Sequence, residues 1–250
     1  MFSPFFSIIT CTYNSAKYVD DNINSLKSQT FKDYEHIFVD GFSSDKTIEL
    51  LSNYKSDNSN IKIIQSEARG IANAMNVGIK NAQGKYLLFL NSDDYLTDSK
   101  SLEKVFNKIG ENPGYQWYYG IINAVSETGD KLYSYPHRKY QKIFCYWIFR
   151  FTFFMQHPAT FYSRDLFSKY GLYDESLNAM DYEYAVRIGK KEKAKFMDII
   201  VSNFRVGGFS SKNRENMEEN VKLIIKRNFS LSGLWFFIRK LYIKFFVKNF

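Results

Sequence analysis

Residues 85–94 read Lys85-Tyr86-Leu87-Leu88-Phe89-Leu90-Asn91-Ser92-Asp93-Asp94, five unbroken apolar residues that stop on a polar, acidic tip. A run of that length predicts a strand buried on both faces, as in the middle of a largely parallel sheet. Its tip then emerges at the carboxyl end of the strand, where open α/β sheets place their ligands. Adjacent carboxylates there are costly unless something positive shares them, and a hard divalent cation carrying phosphate oxygens meets that need. A solvated Asp-rich turn capping a helix also accounts for these four residues, because Ser and Asp suit both jobs. The flanking sequence decides between the two.

Upstream, Phe5–Thr12 is β-branched and apolar and predicts a first strand ending in Tyr13-Asn14-Ser15. A helix is expected from about Ala16, with Val19, Ile23 and Leu26 at helical spacing. Tyr34–Asp40 is a second strand that also ends on an acid, and Gly41–Asp45 turns into a helix carrying Ile48, Leu50 and Leu51. Ile61–Gln65 is a short third strand, and Gly70–Asn81 reads as a helix. Strands alternating with helices make a doubly wound parallel sheet, and right-handed crossovers line the strand ends up along one edge. Asp40 and Asp93 thus face one crevice.

Downstream, the first half closes near Lys108–Gly114. Trp117–Ala124 and Lys131–Tyr135, either side of Glu127-Thr128-Gly129-Asp130, predict two antiparallel strands and a turn. Arg164–Tyr170 is a short helix closed by Gly171, Ala179–Ile188 is another, and Gly207-Gly208 marks a sharp turn.

The composition, 45% apolar with four prolines, is that of a folded chain, and 250 residues suffice for one good core. Cys11 and Cys145 are too few for a disulfide framework or a zinc cluster, so a reducing cytoplasm is expected. The first six residues lack the positive n-region of a signal peptide. The net charge of +8 is uneven: seven basic and no acidic residues follow Glu219. The basicity belongs to the tail, which argues against a domain-wide nucleic-acid surface.

Taken in order, Ser7–Asn14, Val39-Asp40-Gly41, Gly70-Ile71 with Ala74-Met75-Asn76, Leu90–Asp94, and Asp181 with Arg187 resemble the motifs of a family-2 glycosyltransferase of the GT-A fold. The resemblance covers roughly residues 5–210. It implies a nucleotide-diphosphate sugar donor, a UDP-sugar favoured, with Mn²⁺ or Mg²⁺ as cofactor. Thr10, Cys11, Tyr13 and Asp40 would hold base and ribose, with Tyr13 stacking on the base and the Asp40 carboxylate accepting hydrogen bonds. Arg69 would sit near ribose or phosphate, and Asn73, Asn91 and Ser92 fall at further donor positions. Asp93, then Asp94, match the metal motif, whose first member is Asn91 here. Asp181 matches the general base of an inverting displacement, with Glu183 the runner-up. Where the family often shows Tyr-Asp, this chain has Ala72-Asn73, which leaves one donor contact and the choice of sugar open. His157, beside Pro158, is either a contact to acceptor or phosphate or a structural residue.

Ile143–Met155 is mostly aromatic, too short to span a bilayer, and reads as core, as a lid, or as a surface for a lipid-linked acceptor. In Leu234–Phe250, Lys240, Lys244 and Lys248 form one stripe of a helix among large apolar residues. That pattern predicts an interfacial amphipathic helix. The expected organisation is therefore a GT-A domain over 1–210 and a basic helical tail over 211–250. The expected setting is the cytoplasmic face of the cell membrane, with a saccharide or lipid-linked saccharide as acceptor. Two rivals are a sugar nucleotidyltransferase and a non-catalytic sugar-binding module on the same fold. The first needs a Gly-rich phosphate loop, and Tyr13–Lys17 has no glycine. An NAD-binding protein lacks its Gly-any-Gly-any-any-Gly after the first strand.

Overall fold

The computed structural model describes residues 3–56, 58–137, 155–207 and 214–229. The strands are β1 (Phe6–Thr12), β2 (Tyr34–Asp40), β3 (Ile61–Gln65), β4 (Tyr86–Phe89), β5 (Tyr95–Leu96), β6 (Trp117–Val125), β7 (Lys131–Tyr135), β8 (Thr160–Ser163) and β9 (Ala194–Arg205). The helices are α1 (Val19–Lys27), α2 (Thr47–Ser56), α3 (Ile71–Asn81), α4 (Ser101–Glu111), α5 (Arg164–Tyr170), α6 (Met180–Gly189) and α7 (Arg214–Asn228). A 3₁₀ turn, His157–Ala159, precedes β8.

One sheet runs in the order β3-β2-β1-β4-β8-β6-β9-β5, with β7 paired to β6. Its first four strands are parallel, as expected, with Thr12 opposite Asp40 and Ile9 opposite Phe89. β1, β2 and β4 are buried on both faces; β4 is wholly apolar, whereas β1 and β2 also bury polar residues, among them Ser7, Thr10, Glu35, His36 and Asp40. The second half is mixed. β8 is antiparallel to β4 and β6, β9 is parallel to β6, and β5 is antiparallel to β9. The β6–β7 hairpin has the expected form, but β6 also takes β9 along its other edge. Gly120 permits that approach, since a Cβ there would lie 2.6 Å from Val201 Cγ2 and 2.9 Å from the Ile199 carbonyl.

Alternate side chains divide between two layers. Ile9, Leu87, Phe89, Trp117 and Tyr162 join residues of α3, α5, α6 and α7 on one face. Ile8, Leu88, Tyr118 and Phe161 meet Leu26 of α1 and Leu102, Val105 and Ile109 of α4 on the other. Burying one such Leu, Ile or Phe side chain is worth about 1.5–3 kcal/mol.

Three expectations need correction. α1 begins at Val19 rather than near Ala16, because the Ser15 carbonyl first receives the N–H groups of Tyr18 and Val19 in a turn. α4, β5, β8 and β9 were not foreseen. Packing also does not end at 210: Ile224, Ile225 and Phe229 lie in the same buried cluster as Tyr184 and Val186 of α6, so α7 is part of the globular unit. The expected tail helix over 234–250 and the aromatic residues 143–154 lie outside the described residues. Met155, at the end of that run, is fully buried. Among the described residues no helix is long and apolar enough to cross a membrane.

Candidate active site

The carboxyl ends of β1, β2 and β4 meet at one edge of the sheet, and the loops leaving them are hydrogen-bonded to each other. After β1, Asn14 takes φ 51°; after β2, Phe42 takes φ 60°. Each conformation strains a residue with a Cβ. Hydrogen bonds hold both in place: Asn14 donates its N–H to Ser43 Oγ at 2.9 Å, and Asn14 Oδ1 accepts the Ser44 N–H at 2.9 Å. Between them Gly41 lies against the Tyr13 ring and Ala68, where a Cβ would come within 3.1 Å of each. Tyr13 is 62% exposed. The Ala68 contact brings the 67–70 loop alongside, and with it Arg69, exposed and only loosely paired with Glu67 at 3.9 Å. Gly70, at φ 101°, opens α3.

Three of the expected donor residues are turned inward. The Thr10 hydroxyl is fully buried, donates to the Leu90 carbonyl at 2.8 Å and lies 2.9 Å from His36 Nε2, so it stitches the sheet. Apolar surroundings push the Cys11 thiol up to about 12, which leaves it a packing group. The Asp40 carboxylate is fully buried and accepts from Thr12 Oγ1, Ser43 N–H and Ser43 Oγ at 2.9, 2.9 and 2.6 Å. Its task in this structure is to shape the Gly41–Ser43 loop.

At the tip of β4 the two acids differ sharply. Asp94 is fully buried; its Oδ1 accepts the Arg205 backbone N–H and its Oδ2 the Asn91 side-chain amide, both at 3.0 Å. Burial, and then the charge of Asp93, hold its pKa well above the carboxylate range. An aspartate at position 91 would add a third negative charge against Asp94, whereas the amide of Asn91 supplies a donor. Asp93 is half-buried, raised by burial and opposed by the Arg205 charge. Ser92 Oγ donates to Ser15 Oγ at 3.0 Å and ties the tip to the β1 loop.

Among the described residues no three His, Cys, Asp or Glu side chains gather into a cluster. A cation carried on a diphosphate needs fewer, since Mg²⁺-type sites use one or two carboxylates plus phosphate oxygens and water. The hard oxygens of Asp93, next to a carboxylate already committed inward, fit that arrangement.

Asp181 is the second residue of α6, where the helix dipole favours an anion, and its Oδ1 accepts the Tyr182 N–H at 2.8 Å. Its charge is felt by His157, Tyr162 and Tyr173. The His157 and Tyr173 rings, which feel that charge, lie 5.2 and 5.3 Å from that of Phe89 in β4. His157 is buried, with Nε2 3.2 Å from the Tyr173 hydroxyl, and burial lowers its pKa. Glu183 does not join Asp181: it grips Arg187 at 2.7 and 3.1 Å, and Arg187 holds the Tyr170 and Leu172 carbonyls. Asn73 donates to Glu175 at 3.0 Å, with Asn76 on the other Glu175 oxygen at 2.9 Å, while Asn73 Oδ1 is buried without a partner.

Asn22, Ser43, Glu175 and Arg205 were not anticipated. Each acts through partners distant in sequence. Asn22, for example, donates to the carbonyls of Asn91 and Asp94 at 3.0 and 3.1 Å.

The family profile described as "Glycosyl transferase family 2" matches residues 7–171. The chain belongs to this family. A relative from Mycobacterium bovis, a "PGL/p-HBAD biosynthesis glycosyltransferase", is 28% identical over 218 residues, 84% of this chain and 81% of the relative. Among solved structures, Staphylococcus aureus TarS 1–349 in complex with UDP-GlcNAc superposes with a TM-score of 0.72 at 22% identity, covering 98% of this chain and 74% of that one. The mannosyltransferase PcManGT from Pyrobaculum calidifontis, in complex with GDP-Man and Mn²⁺, superposes at 0.65 with 16% identity, over 91% of this chain and 64% of its own. These likenesses give family-2 membership its GT-A-like fold, with the mixed half of the sheet as part of it.

Proposed function

We propose that this glycosyltransferase moves a sugar from a nucleotide-diphosphate sugar, UDP-linked by preference, to a hydroxyl of a saccharide or lipid-linked saccharide, with inversion and with Mn²⁺ or Mg²⁺. The observation that carries the reading is the Asp93 carboxylate in the tip that follows β4, a tip that Ser92 ties to the loop carrying the exposed Tyr13 ring. Family membership supports the reaction class. The nucleotide-sugars in the TarS and PcManGT complexes, and the Mn²⁺ of the latter, support donor and cofactor.

In this reading Tyr13 stacks on the base, Arg69 draws in ribose or phosphate, and Asp93 with the diphosphate oxygens holds the cation. When bound, the cation neutralises charge gathering on the departing nucleoside diphosphate. Asp181 takes the proton of the acceptor hydroxyl as its oxygen bonds to the anomeric carbon from the face opposite the leaving diphosphate. Asp94 and Asn91 keep the tip rigid, so little reorganisation is left for the moment of reaction. Residues 234–250 support a peripheral position on the inner face of the cell membrane, near a lipid-linked acceptor.

The test is calorimetry with UDP, GDP and dTDP, with and without Mn²⁺. Binding of one of them is expected to tighten with Mn²⁺ in the parent and to lose that increment in Asp93→Asn. A parent that binds none of the three in Mn²⁺ would end the reading.

A further inference from the structure

Arg205, the last residue of β9, is 6% exposed and uses every nitrogen it has. Its backbone N–H goes to Asp94 Oδ1 at 3.0 Å, Nε to the Asp93 carbonyl at 3.3 Å, Nη1 to the Glu127 carbonyl at 2.8 Å, and Nη2 to the Asp21 carboxylate at 2.7 Å. The guanidinium plane lies over the Tyr18 and Tyr95 rings at 4.6 and 5.6 Å. One side chain thus joins α1, the tip of β4 and the β6–β7 turn. That turn is tied down a second time, where Glu127 meets Lys17 and Tyr18.

The way Arg205 meets Asp93 is informative. A guanidinium this close to a carboxylate ordinarily takes it bidentately, which would fill the lone pairs a cation needs. Here it takes the main-chain carbonyl of Asp93 and spends its ion pair on Asp21, on the solvent side. The positive charge opposes the burial of two adjacent acids, and the hydrogen bonds of the guanidinium go to the Asp93 and Glu127 carbonyls and the Asp21 carboxylate, leaving the Asp93 carboxylate to other partners.

We propose that Arg205 is the positioning residue of the donor site: it sets where Asp93 presents its carboxylate and makes that position depend on α1 and the β6–β7 turn. The inference rests on the reading of Asp93 as the cation's ligand. Lysine cannot reproduce it, because an ammonium is a point donor and cannot reach three partners along a planar fork. The backbone N–H to Asp94 survives the substitution, so the two parts of the residue separate cleanly.

The experiment compares the parent, Arg205→Lys and Asp21→Ala. It titrates whichever of UDP, GDP and dTDP the parent binds best, with and without Mn²⁺, and follows Mn²⁺ uptake by electron paramagnetic resonance. Arg205→Lys is expected to weaken Mn²⁺-dependent binding about 10–100-fold, the usual cost of losing a group that orients a metal ligand. Binding without Mn²⁺ should be unchanged. Asp21→Ala, on the exposed side of the pair, is expected to move the same quantity less, and to add little in the Arg205→Lys background. Parent-like Mn²⁺ dependence in Arg205→Lys overturns the proposal. So does equal weakening with and without Mn²⁺ alongside a lower melting temperature, which marks Arg205 as a fold residue only. A parent with no Mn²⁺-dependent binding removes the donor-site reading itself, and this inference with it.

Discussion

Asn220 Oδ1 accepts the backbone N–H of Asn178 at 2.6 Å and lies 3.3 Å from that of Ala179. A side chain of α7 therefore caps the approach to α6, two residues before the helix presents Asp181. Behind it Ile224 and Ile225 are fully buried. Ile224→Ala is expected to cost about 2–5 kcal/mol in urea unfolding, the range for a large-to-small change in a packed core. Asn220→Ala should cost about 1 kcal/mol, as loss of a helix cap does. A cost near zero for Ile224→Ala would mean that α7 is an appendage after all.

Asp181→Asn keeps size and removes the base. Turnover is expected to fall roughly 10²–10⁴-fold while donor affinity barely moves. Initial rates at saturating donor, set beside calorimetric affinities, separate the two. Weakened donor binding with turnover retained would assign Asp181 a different role.

His36 makes stability depend on pH. Thr10 gives its proton to the Leu90 carbonyl, so His36 Nε2 must be the donor to Thr10, and Nδ1 is left buried without a partner. A second proton would sit on Nδ1 with nothing to receive it, and burial holds the folded pKa at about 3. The unfolded imidazole protonates below about pH 6.5, so between these values the unfolded state binds more protons and stability falls as pH falls. Going from pH 6.5 to pH 5, the His36 share of that loss is about 2 kcal/mol. His157, lowered by burial, contributes with the same sign. In His36→Gln the decline between pH 7 and 5 should be shallower by about that amount; parallel curves for the two proteins would contradict the assignment.

Deleting 234–250 should release the protein from anionic vesicles and leave nucleotide binding intact. Each basic residue near such a surface is worth about 1 kcal/mol, so the three stripe lysines give roughly a hundredfold in partitioning. High salt should remove that part and spare the apolar one. Vesicle binding that survives the deletion would place the anchor elsewhere.

The parallel half of the fold is legible because β1, β2 and β4 are buried on both faces and each carries an apolar core, the polar residues of β1 and β2 being paired inside, Ser7 with Glu35 and Thr10 with His36. β9 hides for a physical reason: Asp198 sits at φ 44° and the register against β6 slips on either side of Ile121, so no period of two survives along it. α4 carries Leu102, Val105 and Ile109 on one face, but Gly110 and the polar residues between them blur the stripe. β5 has only two residues. Of the site, Tyr13 follows β1, Asp93 follows β4 and Asp181 lies in the first turn of α6. Asp40 and Thr10 share the family motifs yet face inward, because a motif fixes position along a strand and says nothing of which side chain the neighbouring loop occupies. Arg205 carries no local signal. Its partners lie 78 to 184 residues away.

The paired left-handed residues Asn14 and Phe42 have a practical consequence for anyone redesigning donor choice. Neither loop holds its shape alone: Asn14 needs Ser43 and Ser44, and Ser43 in turn is placed by Asp40. A segment transplanted from a relative into residues 13–16 would arrive without its template and relax to an ordinary turn. The unit of exchange is therefore the two loops together, 13–16 with 40–45, and libraries that vary one alone will sample misfolded crevices more than altered specificities.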